Sequence, residues 1–285
     1  MGRVTVRRKT TRLAAGERTG RIDTLVVEEP LELRVGGESL QVTMRTPGDD
    51  FDLAAGFLLA EGVIAKPSDI VSMRYCAGVD ADGEQSYNLL DIALAQGVAP
   101  PPKAAKRNFT VTSACGVCGK DSLEDVRTRA IWSLDDDATV VDAAVLADLP
   151  ARLRKSQKIF DKTGGLHAAA LFTADGELLT AKEDVGRHNA VDKVVGWALQ
   201  QDRLPLRGTV LAVSGRASFE LVQKAVMAGV PVLAAVSAPS SLAADLADES
   251  GLTLAGFVRG DTMNLYTHDG RVALPGVSPP GITGR

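Results

Sequence analysis

Two cysteines three positions apart, Cys115 and Cys118 in Ser113-Ala-Cys-Gly-Val-Cys-Gly-Lys120, carry the strongest chemical signal in the sequence. The thiolate is the nucleophilic form of cysteine, and cationic neighbours such as Lys120 and Arg107 favour it. Gly116 and Gly119 follow the two cysteines and give a loop able to move a sulfur atom. A reactive thiol loop is the favoured reading, with a metal site or inert packing as the alternatives. A closed zinc site needs four Cys or His ligands, but a second Cys-x-x-Cys is absent, and Cys76, His167, His188 and His268 lack paired spacing. A zinc deaminase would show His-x-Glu ahead of Pro-Cys-x-x-Cys. Here the order is reversed, Ala169 stands in the glutamate's place and Ala114 precedes the first cysteine. Thiol–disulfide exchange stays open, although a thioredoxin-like fold places its motif early, at a helix start.

A second group consists of strand-to-helix turns: Glu183-Asp-Val-Gly-Arg-His-Asn189, Ser214-Gly-Arg-Ala-Ser218, Ser237-Ala-Pro-Ser-Ser241 and Arg259-Gly-Asp261. If their strands are parallel neighbours, the turns gather on one sheet edge, where α/β proteins bind ligands. Helix-start N–H groups beside Arg187 and Arg216 suit phosphate. Plain helix capping by Ser218, Ser240 and Asn189 is the favoured reading of any one turn, whereas several turns of this type together favour an anionic ligand. Walker and Gly-x-Gly-x-x-Gly patterns are absent, which argues against ATPase and dinucleotide dehydrogenase chemistry. Asp184 and His188, four positions apart, are a candidate proton-transfer or substrate pair. His167 is either a core histidine or a site residue, and Trp197 and Phe219 read as core.

These residues need elements to hold them. Basic residues Arg3, Arg7, Arg8, Lys9, Arg12, Arg18 and Arg21 form an N-terminal arm, read as solvated or as an edge strand, with an anionic partner as the alternative. A short strand is expected at Leu25–Val27 and a hairpin from Leu31–Val35 and Leu40–Met44 across Gly36-Gly37. A helix follows at about Phe51–Glu61, stopped by Gly62. The next stretch shows little pattern and ends in Gly97-Val-Ala-Pro-Pro-Pro102, where the triple proline reads as a linker or exposed loop. Asn108–Thr112 reads as a strand. A helix from Asp142 to about Asp161 should be interrupted near Pro150. Beyond it come a hairpin (Ala168–Phe172, Glu177–Lys182), helices at His188–Gln200, Phe219–Ala228 and Ser240–Glu249, and strands at Thr209–Val213, Val230–Val236, Thr253–Val258 and Met263–Thr267. Apolar strands alternating with helices predict a sheet covered on both faces.

The chain of 285 residues is 45% hydrophobic, 24% charged and only 4% aromatic, an ordinary globular composition that is poor in stacking surface for single-stranded nucleic acid. A net charge of −4 gives no global basic field, so nucleic acid is not an expected partner. No leader and no long uncharged run is visible, so a cytoplasmic protein with reduced thiols and no membrane span is expected.

Taken together, the motifs resemble the formate dehydrogenase accessory sulfurtransferases, the FdhD family, from Arg21 to about Arg271. The resemblance rests on Asp52-Leu-Ala-Ala-Gly-Phe-Leu-Leu-Ala-Glu-Gly62, Cys115-Gly-Val-Cys-Gly119, Thr163-Gly-Gly-Leu-His-Ala168, Glu183–Lys193, Ser214–Ser218 and the stretch Phe257-Val-Arg-Gly-Asp-Thr262. It implies a sulfur relay. A cysteine desulfurase passes persulfide sulfur to Cys115, assisted by Cys118, for delivery to the molybdenum (or tungsten) bis(guanine dinucleotide) cofactor, a bound substrate, before insertion into the formate dehydrogenase catalytic subunit.

The resemblance also implies a cytidine deaminase-like three-layer α/β/α sandwich and a homodimer. Residues 1–105 would be a β-rich subdomain with one helix, 106–120 the mobile loop, 121–275 the cofactor-binding core and 276–285 a tail. The expected cofactor contacts are His167, Arg187, His188, Ser214, Gly215, Arg216, Phe257, Val258, Arg259, Gly260, Asp261 and Thr262, with no resident metal and with GDP as a fragment ligand. A chaperone that only holds the cofactor, or a redox protein, are the competing readings.

Overall fold

The computed structural model describes residues 3–76, 78–79, 85–99, 126 and 129–274. The basic arm is a long hairpin, strands β1 (Thr5–Ala14) and β2 (Glu17–Val26), paired antiparallel with every residue from Arg7 to Arg21 exposed. The short strand expected at Leu25–Val27 is therefore only the end of β2. Its polar sequence shows no period-2 apolar alternation, because neither face is buried.

Next come β3 (Glu29–Val35), β4 (Glu38–Arg45), α1 (Asp50–Ala60), β5 (Ile70–Tyr75), the two-residue strands β6 (Gly78–Val79) and β7 (Gln85–Ser86), and β8 (Leu89–Leu94). The hairpin across Gly36-Gly37 and the helix stopped at Gly62, whose φ is +68°, agree with the sequence pattern. The stretch after the helix, which shows little sequence pattern, ends in a triple proline that lies outside the described residues, but it holds β5 and β8, which complete a four-stranded sheet of order β4-β3-β8-β5. Their signal is weak because only Leu90 and Ile92 on these two strands are buried.

The second half contains β9 (Val141–Asp142), α2 (Ala143–Ser156), α3 (Phe160–Thr163), β10 (His167–Thr173), β11 (Leu178–Asp184), α4 (Arg187–Gln200), β12 (Thr209–Val213), α5 (Phe219–Met227), β13 (Val232–Ala235), α6 (Ser241–Glu249), β14 (Thr253–Arg259), β15 (Thr262–Thr267) and β16 (Val272–Ala273). The expected break at Pro150 is not there, since α2 runs through the proline and ends at Gln157. A proline tolerated inside a helix leaves one carbonyl without its usual N–H partner but need not end it. The six-stranded sheet has the order β11-β10-β12-β13-β14-β15. Strands β12, β13 and β14 are parallel neighbours, and β10 runs antiparallel to both β11 and β12.

Side chains alternate across this sheet. Ala168, Ala170, Phe172, Val210, Ala212 and Val232 pack with Leu146, Leu149 and Leu153 of α2. Ala169, Leu171, Leu211, Val213, Leu233 and Leu254 pack in the larger core with α4, α5 and α6, a core that continues into α1 and the four-stranded sheet. The join between α1 and α4 depends on two glycines. A Cβ added at Gly56 would lie 1.9 Å from the Asp192 carbonyl oxygen, and one at Gly196 would lie 1.8 Å from that of Asp52. The two backbones touch, so the N-terminal half is bolted directly to the helix that carries Arg187 and His188.

Candidate functional site

Because β11, β12, β13 and β14 all run the same way, their C-terminal turns share one edge with the N-terminus of β10. Backbone hydrogen bonds stitch the turns together. Ser214 N–H donates to Ala168 O at 3.0 Å, Ser237 N–H to Gly215 O at 3.3 Å and Phe257 N–H to Ser237 O at 3.3 Å. The Ser214 hydroxyl oxygen accepts from Ala168 N–H at 2.9 Å. His167 lies across the sheet from Asp184 and next to Gly215, where an added Cβ would lie 3.5 Å from His167 Nδ1 and 3.9 Å from Arg187 Cδ. His167, Arg187, Ser214 and Gly215 are thus one constellation.

Arg187 is the first residue of α4, and its Nε is fully buried with no hydrogen-bond partner among the described residues. A buried guanidinium N–H left unpaired costs stability, and the helix start next to it carries partial positive charge. Both favour an anion here. His167 is half-buried, and burial, followed by the charges of Arg187 and His188, holds its imidazole pKa below the ordinary value. The ring offers one donor and one acceptor in its neutral form.

The neighbouring candidates behave differently. Asp184 and His188 do not pair, which corrects that expectation. Asp184 is fully buried and accepts from Thr46 N–H, Gly186 N–H and Asn189 Nδ2, with Lys193 Nζ at 2.7 Å. Glu183 accepts from the backbone N–H groups of Ile159 and Phe160 and so holds the start of α3. Both acids are structural. His188 Nε2 faces the Ser218 hydroxyl at 3.2 Å and Glu220 at 3.0 Å. That hydrogen bond, against the opposing effect of burial, pulls the Glu220 carboxyl down to about 2. Of the expected caps, Ser240 accepts from Ala243 N–H as expected. Ser218 and Asn189 instead serve His188, Met44 and Asp184.

At the β14 end the residues lie outward. Phe257 has φ +53° and is 40% exposed, Val258 is buried, and Arg259, Gly260, Asp261 and Thr262 are exposed. Arg259 Nε donates to Val236 O at 3.4 Å, and no ion pair joins it to Asp261 among the described residues. Arg216 is exposed beside Gly215. Cys115, Cys118, Arg107, Lys120 and the strand expected at Asn108–Thr112 lie outside the described residues. Cys76, half-buried after β5, is a free thiol.

A cleft of about 600 Å³ opens at this edge between α2, α3 and the strand ends. Its lining includes Pro150, Leu153, Gln157, Phe160, His167 and Ser214. Small-molecule sites typically enclose roughly 300–1,000 Å³. Sequence pattern alone passed over Gln157 and Phe160, since a glutamine closing an amphipathic helix carries no distinguishing spacing. Among the described residues no cluster of three metal-ligating side chains occurs, and no helix is long and apolar enough to cross a membrane.

The sequence pattern of the FdhD/NarQ family matches residues 26–273. The sulfur carrier protein FdhD of Mycolicibacterium paratuberculosis is 63% identical over 269 residues, covering 94% of this chain and 99% of that protein. The protein of the same name from Streptomyces avermitilis is 60% identical over 282 residues, covering 99% and 100%. A crystal structure of a candidate formate dehydrogenase accessory protein from Desulfotalea psychrophila superposes with a TM-score of 0.73 at 23% identity, over 95% of this chain and all of that one. At that identity the likeness speaks to the fold, which the two share.

Proposed function

The chain belongs to the FdhD/NarQ family, and from that premise we propose that it is a sulfur carrier serving formate dehydrogenase. In this reading Cys115 accepts persulfide sulfur from a cysteine desulfurase, and the sulfur goes to a molybdenum (or tungsten) bis(guanine dinucleotide) cofactor held as substrate at the strand edge. The observation that carries it is the buried, unpartnered Arg187 Nε beside His167, Ser214 and the cleft. A multiply charged dinucleotide needs fixed cationic and N–H contacts of this kind, and arginine meets phosphate oxygens two at a time. His188, Gly215 and Arg216 adjoin the same edge, and the turn Phe257 to Thr262 is its outer rim.

Chemically the relay needs little more than the two thiols. The Cys115 persulfide presents a terminal sulfur on a good leaving group. Attack by the Cys118 thiolate on the inner sulfur forms a Cys115–Cys118 disulfide and expels hydrosulfide, so electrons balance within the pair. The rigid edge holds the cofactor while the glycine-flanked loop brings the sulfur. Sulfurtransferase activity, a cytoplasmic location, a homodimer and a deaminase-like three-layer arrangement of α2, the six-stranded sheet and α4 to α6 belong to the same reading.

The test is activation of formate dehydrogenase in cells lacking the native protein. Cys115→Ala should abolish activation while leaving the amount of folded protein unchanged. Full activation by that variant would remove the relay and leave a chaperone that only holds the cofactor.

A further inference from the structure

The cleft contains a side chain with no structural task. Gln157 closes α2, is only 4% exposed and lines the cleft, yet among the described residues its carboxamide makes no hydrogen bond. That carboxamide carries two N–H donors and one acceptor oxygen. Its polar atoms are not among the fully buried ones, so the carboxamide opens onto the cleft with its donors and acceptor available to a bound group. Around it Pro150, Leu153, Phe160 and Leu166 supply apolar walls. The Phe160 wall is fixed twice, by Glu183 on its backbone N–H at 2.8 Å and by the Arg154 guanidinium 4.7 Å above its ring.

We propose that Gln157 reads the hydrogen-bonding edge of a planar heterocycle seated between these walls, with the phosphate-bearing part of the same ligand extending toward His167 and Arg187. The inference rests on the reading that this edge holds a nucleotide-bearing ligand, and it names the contact that recognises the ring. A cyclic amide presents an N–H beside a C=O. The Gln157 carbonyl accepts from the first and its NH₂ donates to the second, satisfying both halves of the carboxamide at once. A bare phosphate offers acceptors only and would leave the Gln157 oxygen unpaired. The cleft is also larger than a lone anion needs. Asp261, one of the expected cofactor contacts, lies in an exposed turn.

Guanine and a pterin carry the same amide edge, so the experiment uses both. Binding of GDP, pterin-6-carboxylate and inorganic pyrophosphate to the full chain is measured by calorimetry, for the native protein and for Gln157→Leu, which keeps the side chain's bulk. The expected result is a loss of about tenfold in affinity for whichever ring sits there, with pyrophosphate unchanged. In Gln157→Glu, a carboxylate accepts from both the ring N–H and the 2-amino group, so the preference for that ring over ADP should rise. Unchanged ring affinity in Gln157→Leu, or an equal loss for pyrophosphate, overturns the inference. If Arg187→Ala weakens binding of all three probes while Gln157→Leu weakens none, the nucleotide reading survives and only the role of Gln157 falls. If neither ring binds the native protein, both fall.

Discussion

Asp184 and Arg187 stand three residues apart in one turn, and their surroundings are opposite. Asp184 has two backbone N–H groups, one amide and one ammonium directed at it and is completely buried. Arg187 has a buried Nε with no hydrogen-bond partner among the described residues, and Gln157 across the edge turns an unpaired carboxamide to the cleft. A polar group that the protein satisfies is architecture, whereas one it buries and leaves open is set aside for something else. The turn therefore divides into a satisfied half that holds the fold and an open half, which the proposed function assigns to a ligand, and that division can be attacked from both sides.

The largest effect should come from the satisfied half. Asp184→Ala strands Lys193 as a buried, unpaired cation, and removing one partner of such a pair typically costs about 3–5 kcal/mol. Urea unfolding followed by far-UV circular dichroism would measure it, and a cost below about 1 kcal/mol would show that the hub is not holding the turn. Gly196→Ala attacks the join beneath it. An added methyl 1.8 Å from the Asp52 carbonyl must push α1 and α4 apart, at roughly 1–3 kcal/mol or more. The same denaturation series checks this, with Gly20→Ala as a control where an added Cβ meets nothing and the backbone is not left-handed.

The open half should behave in the reverse way. Arg187→Ala should leave stability within about 1 kcal/mol of the native value while weakening pyrophosphate or GDP binding about ten- to a hundredfold, as for a lost charge-assisted contact. Calorimetry and a melting curve on one preparation separate these outcomes. Destabilisation without loss of binding would reverse the assignment of Arg187.

The smallest effect concerns Glu220. Its folded carboxyl titrates at about 2 rather than at the ordinary 4.5, chiefly through His188. A depressed carboxylate contributes stability that is complete above 4.5 and is lost as pH falls from there toward 2. Glu220→Gln should flatten stability across that acid window and leave pH 7 binding of pyrophosphate little changed. An unchanged acid limb would mean that the His188 contact contributes nothing.

How much of this was legible in the sequence follows from burial. Strands such as Thr209–Val213 and Val232–Ala235 are buried along their whole length, so their apolar runs and the glycines between elements mark them clearly. The β1–β2 hairpin has no buried face and leaves no pattern to find, and β5 is mostly wet. At the site, the gathering of the turns followed from strand direction alone, which brings Ser214, Gly215 and Arg187 to one edge, whereas His167, at the start of β10, was associated with them only by the family resemblance. The pairing of Asp184 with Lys193 and Thr46 did not, because Thr46 comes from the distant β4–α1 connection. Gln157 was hidden for the same reason. It reaches the cleft because α2 ends there, beside Gly164, Leu166 and Val236, which its sequence neighbours do not reveal.

The central claim, that the chain carries sulfur on its cysteine pair, is tested most directly by mass spectrometry. The purified protein is incubated with a cysteine desulfurase and L-cysteine, digested without reductant and examined at the peptide containing Cys115 and Cys118. The account predicts one added sulfur atom on Cys115, absent from Cys115→Ala and removed by a mild reductant. An unmodified Cys115 under conditions where the desulfurase is turning over, or the same added mass in a variant lacking both cysteines, would contradict it.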